Sequence, residues 1–102
     1  MNEYKVTVSN RARLMLGEHL RFLAQSDKNA AKKTEKRFLE SFRSLKILPE
    51  RYPFIEDACV ESCKYRKMFV EKWYLVIYSI SDSDVHIDYI LDCRQDYSWL
   101  LK

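Results

Sequence analysis

Residues 65–97 read YRKMFVEKWYLVIYSISDSDVHIDYILDCRQDY. The pattern is that of three antiparallel strands in series with a short polar tail. Residues 65–70 form the first strand, and Glu71-Lys72 is a two-residue turn. Residues 73–80 are apolar on both parities, which suits a central strand. Ser81-Asp82-Ser83-Asp84 supplies turn chemistry. In residues 85–92, Val85, Ile87, Tyr89 and Leu91 share one face. His86, Asp88 and Asp92 share the other, because successive strand side chains alternate.

Outward from this meander, residues 58–64 read as a short strand or extended lead-in. Residues 50–57 form a loop built around Tyr52-Pro53-Phe54. Leu48-Pro49 ends the helix that precedes it, since Pro cannot continue a helix and restricts the residue before it. That helix, residues 29–47, turns Ala31, Thr34, Phe38, Phe42 and Leu45 inward and its lysines outward. Ser26 or Asp27 caps it. An earlier helix starts after Ser9 or Asn10, with Ala12, Met15, Leu16, His19, Leu20 and Leu23 on one apolar stripe. His19 reads as a packed core or boundary residue. Gly17 sits inside this helix at a cost of about 1 kcal/mol relative to Ala, which suggests a close helix–helix contact. Residues 4–9 alternate as a half-buried strand, with Tyr4, Val6 and Val8 on one side. Residues 94–101 close the chain as a helical turn whose Trp99, Leu100 and Leu101 need apolar cover.

The order is therefore β-α-α-β-β-β in one domain, 1–102. The expected architecture is a two-layer α+β domain, with an antiparallel meander packed under a helical hairpin. The first strand is expected to come before the meander in the sheet, with both helices on one face. The other face is then open to a partner or substrate.

Composition fits this reading. A 102-residue chain with 47% hydrophobic and 14% aromatic residues has enough apolar surface for one core and no room for a second. One Gly and two Pro argue against linkers and low-complexity sequence. The net charge of +3 is mild, but residues 28–46 carry seven Lys/Arg against Glu35 and Glu40. Such a helix face suits phosphates or an acidic partner. The three cysteines, Cys59, Cys63 and Cys93, are odd in number, and their spacing does not match a zinc set. No signal peptide or apolar run of about 20 residues is evident, so the chain is expected to be cytoplasmic with reduced thiols.

The first strand YKVTVS, the Lys- and Ala-rich helical hairpin, the connection SLKILPERYPF, the pair YRKMFVEKWYLVIYSI and the closing DCRQDY together resemble RelE/ParE toxins. These are the toxin halves of bacterial type II toxin–antitoxin systems, also known as plasmid stabilisation proteins. The resemblance covers nearly the whole chain. It implies a cognate antitoxin that wraps the toxin, and no cofactor. RelE-like members cleave mRNA in the ribosomal A site. ParE-like members poison DNA gyrase. The first reading is a ribosome-dependent mRNA endoribonuclease. The alternatives are a non-enzymatic gyrase inhibitor and a degenerate toxin that serves as an antitoxin-binding corepressor.

Cleavage by 2′-OH attack requires proton transfer and stabilisation of a phosphorane. Arg66 and Arg94 match the family's strand and tail arginines. Both are expected beside the open face, clamping one phosphate through their planar forks. Tyr97 is expected to stack on a base or move a proton. Lys64 and Lys67 are further substrate-binding candidates, although Lys67 points away from Arg66 in a regular strand.

Overall fold

The computed structural model describes residues 3–56 and 63–94. Most of the 58–64 lead-in and the tail that carries Tyr97 and Trp99 lie outside them. Two side chains set the helical hairpin. Ser9 closes strand β1 (Lys5–Val8) and caps helix α1 (Asn10–Ser26), its Oγ accepting from the Ala12 N–H at 3.0 Å. Asp27 ends α1 and starts helix α2 (Lys28–Ser44). Its N–H donates to the Leu23 carbonyl, and its Oδ1 accepts from the Ala30 N–H at 3.0 Å. One residue thus joins two antiparallel helices.

The inward positions of α2 are as expected: Ala31, Thr34, Phe38 and Phe42 are buried, with Leu45 fully buried just beyond the helix. The helix ends at Ser44, before the expected residue 47. Helical geometry is disfavoured immediately before Pro49, and the chain unwinds over the preceding turn. Leu48 takes a left-handed conformation (φ 54°), and a 3₁₀ turn follows over Pro49–Arg51.

The meander forms as strands β2 (Arg66–Val70), β3 (Tyr74–Ser81) and β4 (Asp84–Asp92), with both hairpins antiparallel. β1 lies at the far end, against β4 and parallel to it, from Lys5↔Asp84 to Val8↔Ile87. The sheet is therefore mixed, in the order β1-β4-β3-β2. Both helices pack on one face. A single cluster joins Ala12, Phe38 and Phe42 to Met68, Val70, Tyr74, Val76, Tyr78, Val85, Ile87 and Ile90. Phe38 meets the edge of the Tyr74 ring at 5.3 Å between centroids.

The strict alternation expected of the last strand fails at one residue. Ile77 pairs with Tyr89 and Tyr78 with Ile87, which leaves Asp88 as a bulge. A bulge inserts one residue and reverses the parity beyond it. Ile90 therefore joins Val85 and Ile87 in the core, and Asp92 follows it to the helix side. Tyr89 and Leu91 turn to the other face.

β1 stops opposite Ile87, and among the described residues no strand pairs with that edge of β4 from there to Asp92. Helix α1 covers that edge with side chains. The Asp88 carbonyl accepts from Ser9 Oγ at 3.3 Å and from Arg11 Nε at 3.4 Å. The Ile90 carbonyl lies 2.7 Å from His19 Nε2, which donates to it. His19 thus serves as an edge cap within the buried layer. His19→Leu should leave that carbonyl buried without a donor and lower stability by about 1–3 kcal/mol. Urea denaturation reads this directly, and a change of only a few tenths would mean that the edge has another donor.

Candidate functional site

The candidate residues divide between two ends of the sheet. At one end, Arg66 shares its parity with the buried Met68 and Val70 and points to the helix side. The expectation that it flanks the open face is corrected here. The segment after Pro49 covers it. The Tyr65 carbonyl accepts from the Ile55 N–H, and the Pro53 carbonyl accepts from the Lys67 N–H, with Phe54 bridging to Arg66. Arg66 Nη1 then donates to the carbonyls of Glu50 at 2.9 Å and Tyr52 at 2.6 Å. Its guanidinium lies 3.9 Å from the centre of the Phe54 ring. Beneath it, the buried Tyr78 hydroxyl donates to the Pro49 carbonyl at 2.6 Å. Burial pushes this phenol up to about 12.

A cavity of about 260 Å³ opens beside Arg66, lined by Lys64, Tyr4, Glu50, Phe54 and Cys63 among others. Tyr4 donates its hydroxyl to Glu50 Oε1 at 2.9 Å, and that hydrogen bond raises the phenol above its ordinary range. The sequence pattern puts Tyr4 on one side of the first strand and Glu50 in a loop, and gives neither a role at a site. Tyr4 immediately precedes β1 and Glu50 lies in the 3₁₀ turn, and nothing in their spacing announces that these segments meet.

At the other end, Arg94 grips Asp92. Its Nε donates to Oδ1 at 2.9 Å, its Nη2 to Oδ2 at 2.7 Å and its backbone N–H to Oδ1 at 3.0 Å. The Asp92 side chain is only 6% exposed, whereas that of Arg94 is 50% exposed. The bonds from Arg94 hold the Asp92 carboxyl below the usual carboxylate range, against the opposing effect of burial. The guanidinium also lies 4.6 Å from the Trp73 ring.

The two arginines do not meet. Arg66 pairs with Tyr78, and Asp92 pairs with Tyr74. The four residues between these levels span about 14 Å along β3. The strands β2 and β4 lie on opposite sides of β3, which adds about 10 Å of lateral offset. A single phosphate clamped by both is corrected by this register. Lys64 stands with Arg66 at the cavity, and its Nζ is 5.4 Å from the Tyr65 ring. Lys67 pairs with Ile77 on the opposite parity from Arg66, as expected. Tyr97 lies outside the described residues.

No helix among the described residues is long and apolar enough to cross a membrane. No protein-family model matches the chain, and no curated protein sequence matches it. Among solved structures, it is similar to a chain of the chromosomal ParDE TA system from P. aeruginosa. The TM-score is 0.70 over 88% of this chain and 96% of that chain, at 13% sequence identity. At that identity the likeness is one of fold: two helices on one face of a four-stranded mixed sheet.

Proposed function

We propose that the chain is the toxin of a type II toxin–antitoxin pair. In this reading it acts on a cytoplasmic target by protein contact, in the manner of ParE-like gyrase inhibitors, and its own partner is an antitoxin. The shared fold with a chain of a ParDE TA system supports the toxin assignment. The observation that carries the choice of mechanism is the separation of Arg66 from Arg94. Each guanidinium already bonds to acceptors of this chain, at opposite ends of β3. A phosphorane needs preorganised cations converging on one point. No cofactor enters this reading.

A second reading has one observation in its favour. Arg66, Lys64, Glu50 and Tyr4 line a common cavity. An endoribonuclease centred there would use Glu50 to take the 2′-OH proton and Arg66 with Lys64 to hold the phosphorane charge, with the P–O5′ bond breaking and solvent protonating the leaving 5′ oxygen. Arg94 and Lys67 take no part in it.

Expression without the partner should arrest bacterial growth. Purified protein should then inhibit supercoiling by gyrase and leave mRNA on translating ribosomes intact. Cleaved mRNA with normal supercoiling would replace the first reading with the second. Normal growth, with folded protein present in the cells, would favour the corepressor.

A further inference from the structure

We propose that the end of the sheet around Trp73 and Arg94 is a docking surface for an acidic segment of the protein the toxin acts on, anchored by one apolar side chain. This rests on the reading of the chain as a toxin that works by protein contact. The surface has three parts. A cavity of about 180 Å³ is walled by Leu23 of α1, Ala30 and Thr34 of α2, and Glu71, Trp73, Tyr74 and Arg94. Its mostly apolar walls suit a single aliphatic side chain. Trp73 stands at its mouth, 39% exposed despite its size. Trp, Tyr and Arg converging on one pocket is the composition that dominates binding energy at protein interfaces.

The second part is the state of Arg94. Asp92 holds it through Nε and Nη2, and the Trp73 ring supports its face. Its rotamer is therefore set before a partner arrives, and little side-chain entropy remains to be lost on binding. The Nη1 side of the fork is turned away from Asp92, whose carboxylate is buried and already paired.

The third part is charge. Arg37 lies beside Glu71 at a loose 3.6 Å, with both side chains more than a third exposed. Lys33 lies one turn before Arg37 on α2, and Lys72 follows Glu71 in the β2–β3 turn; both are exposed. Among the described residues around the mouth, the exposed Lys33, Arg37, Lys72 and Arg94 stand against two exposed acids, Glu71 and Asp27, the latter bonded to the Ala30 N–H. This excess suits an acidic occupant, steering its approach as well as holding it.

The test uses two blocked peptides, Ac-Asp-Leu-Asp-Leu-NH₂ and Ac-Lys-Leu-Lys-Leu-NH₂, titrated into the whole chain and followed by NMR. The acidic peptide should give saturable, salt-sensitive shifts at the Ala30 and Thr34 amides and the Trp73 indole, and the basic one none. Trp73→Ala and Arg37→Glu, both at exposed positions, should each weaken that binding by about tenfold and relieve growth arrest at unchanged folded protein. Equal shifts with both peptides, or none, would overturn the site. Binding lost in Trp73→Ala with full growth arrest retained would overturn its use by the target. A wild-type chain that binds the acidic peptide but leaves growth untouched would overturn the toxin reading and leave the acidic-segment site standing.

Discussion

Arg94→Ala should lower the free energy of unfolding by about 3 kcal/mol at neutral pH, the lower end of the cost of orphaning one member of a buried pair. The lower end applies because Arg94 is half exposed, while Asp92 is not. The cost arises at Asp92: its carboxylate loses every donor that Arg94's side chain supplies and stays among Tyr74, His19 and the end of β4. The pH dependence should weaken with it. In the wild type the Asp92 pKa is lowered, so its stabilisation is full above the unfolded carboxylate value and is lost as pH falls through the folded one. In the variant, burial is opposed only by the remaining backbone N–H bond and His19, so the pKa moves back up. Asp92 then contributes much less to folding at neutral pH, and less of that contribution is left for acid to remove. Urea denaturation at pH 7 and pH 4 should show the gap between the two proteins narrowing in acid. Replacing both partners, Arg94→Met with Asp92→Leu, should recover most of the loss, since an apolar pair carries no orphaned charge. A gap that stays constant with pH would mean that Asp92 is not the group responsible.

The strands and helices were legible because their signals are local. Ser9 and Asp27 announce helix starts, and the α2 stripe from Ala31 to Phe42 has one period throughout. Asp82 marks a turn whose positive φ of 55° is tolerable for Asp. What escaped the sequence is non-local. The bulge at Asp88 adds a residue without altering composition, and the alternation before it gives no sign that parity will reverse. Strict alternation therefore puts Tyr89 with the core residues and Asp92 on the face it does not occupy. The helical stripe shows His19 only as a packing residue, but its bond to the Ile90 carbonyl exists because β1 ends short of it. The side of the sheet taken by Arg66 was in principle readable from Met68 and Val70. The acceptors that hold it were not, since they are carbonyls of an irregular segment whose path no periodicity describes.

Arg66→Ala should cost about 2–3 kcal/mol, because Nη1 makes two charge-assisted bonds and hydrogen bonds to charged groups contribute roughly 1.5–3 kcal/mol each, with water replacing part of the loss. The change removes the tie that holds the Glu50 and Tyr52 carbonyls over β2, together with the plane stacked on Phe54. Arg66→Lys should rescue only part of it, since an ammonium reaches one carbonyl readily but offers no flat face to the ring. The functional consequence separates the two mechanisms. For a toxin that acts by contact at the Trp73 end, Arg66 is structural. Growth arrest by Arg66→Ala should then follow the folded fraction, weak near its unfolding temperature and restored on cooling. For an endoribonuclease centred on the Tyr4–Glu50 cavity, the guanidinium meets charge that rises in the transition state. Its loss should then lower cleavage on the order of a hundredfold, even at temperatures where the variant is fully folded. Thermal unfolding and growth measured on the same variant across temperature decide between them. Recovery of arrest on cooling supports the structural role, and arrest that stays lost in folded protein places Arg66 at the chemistry.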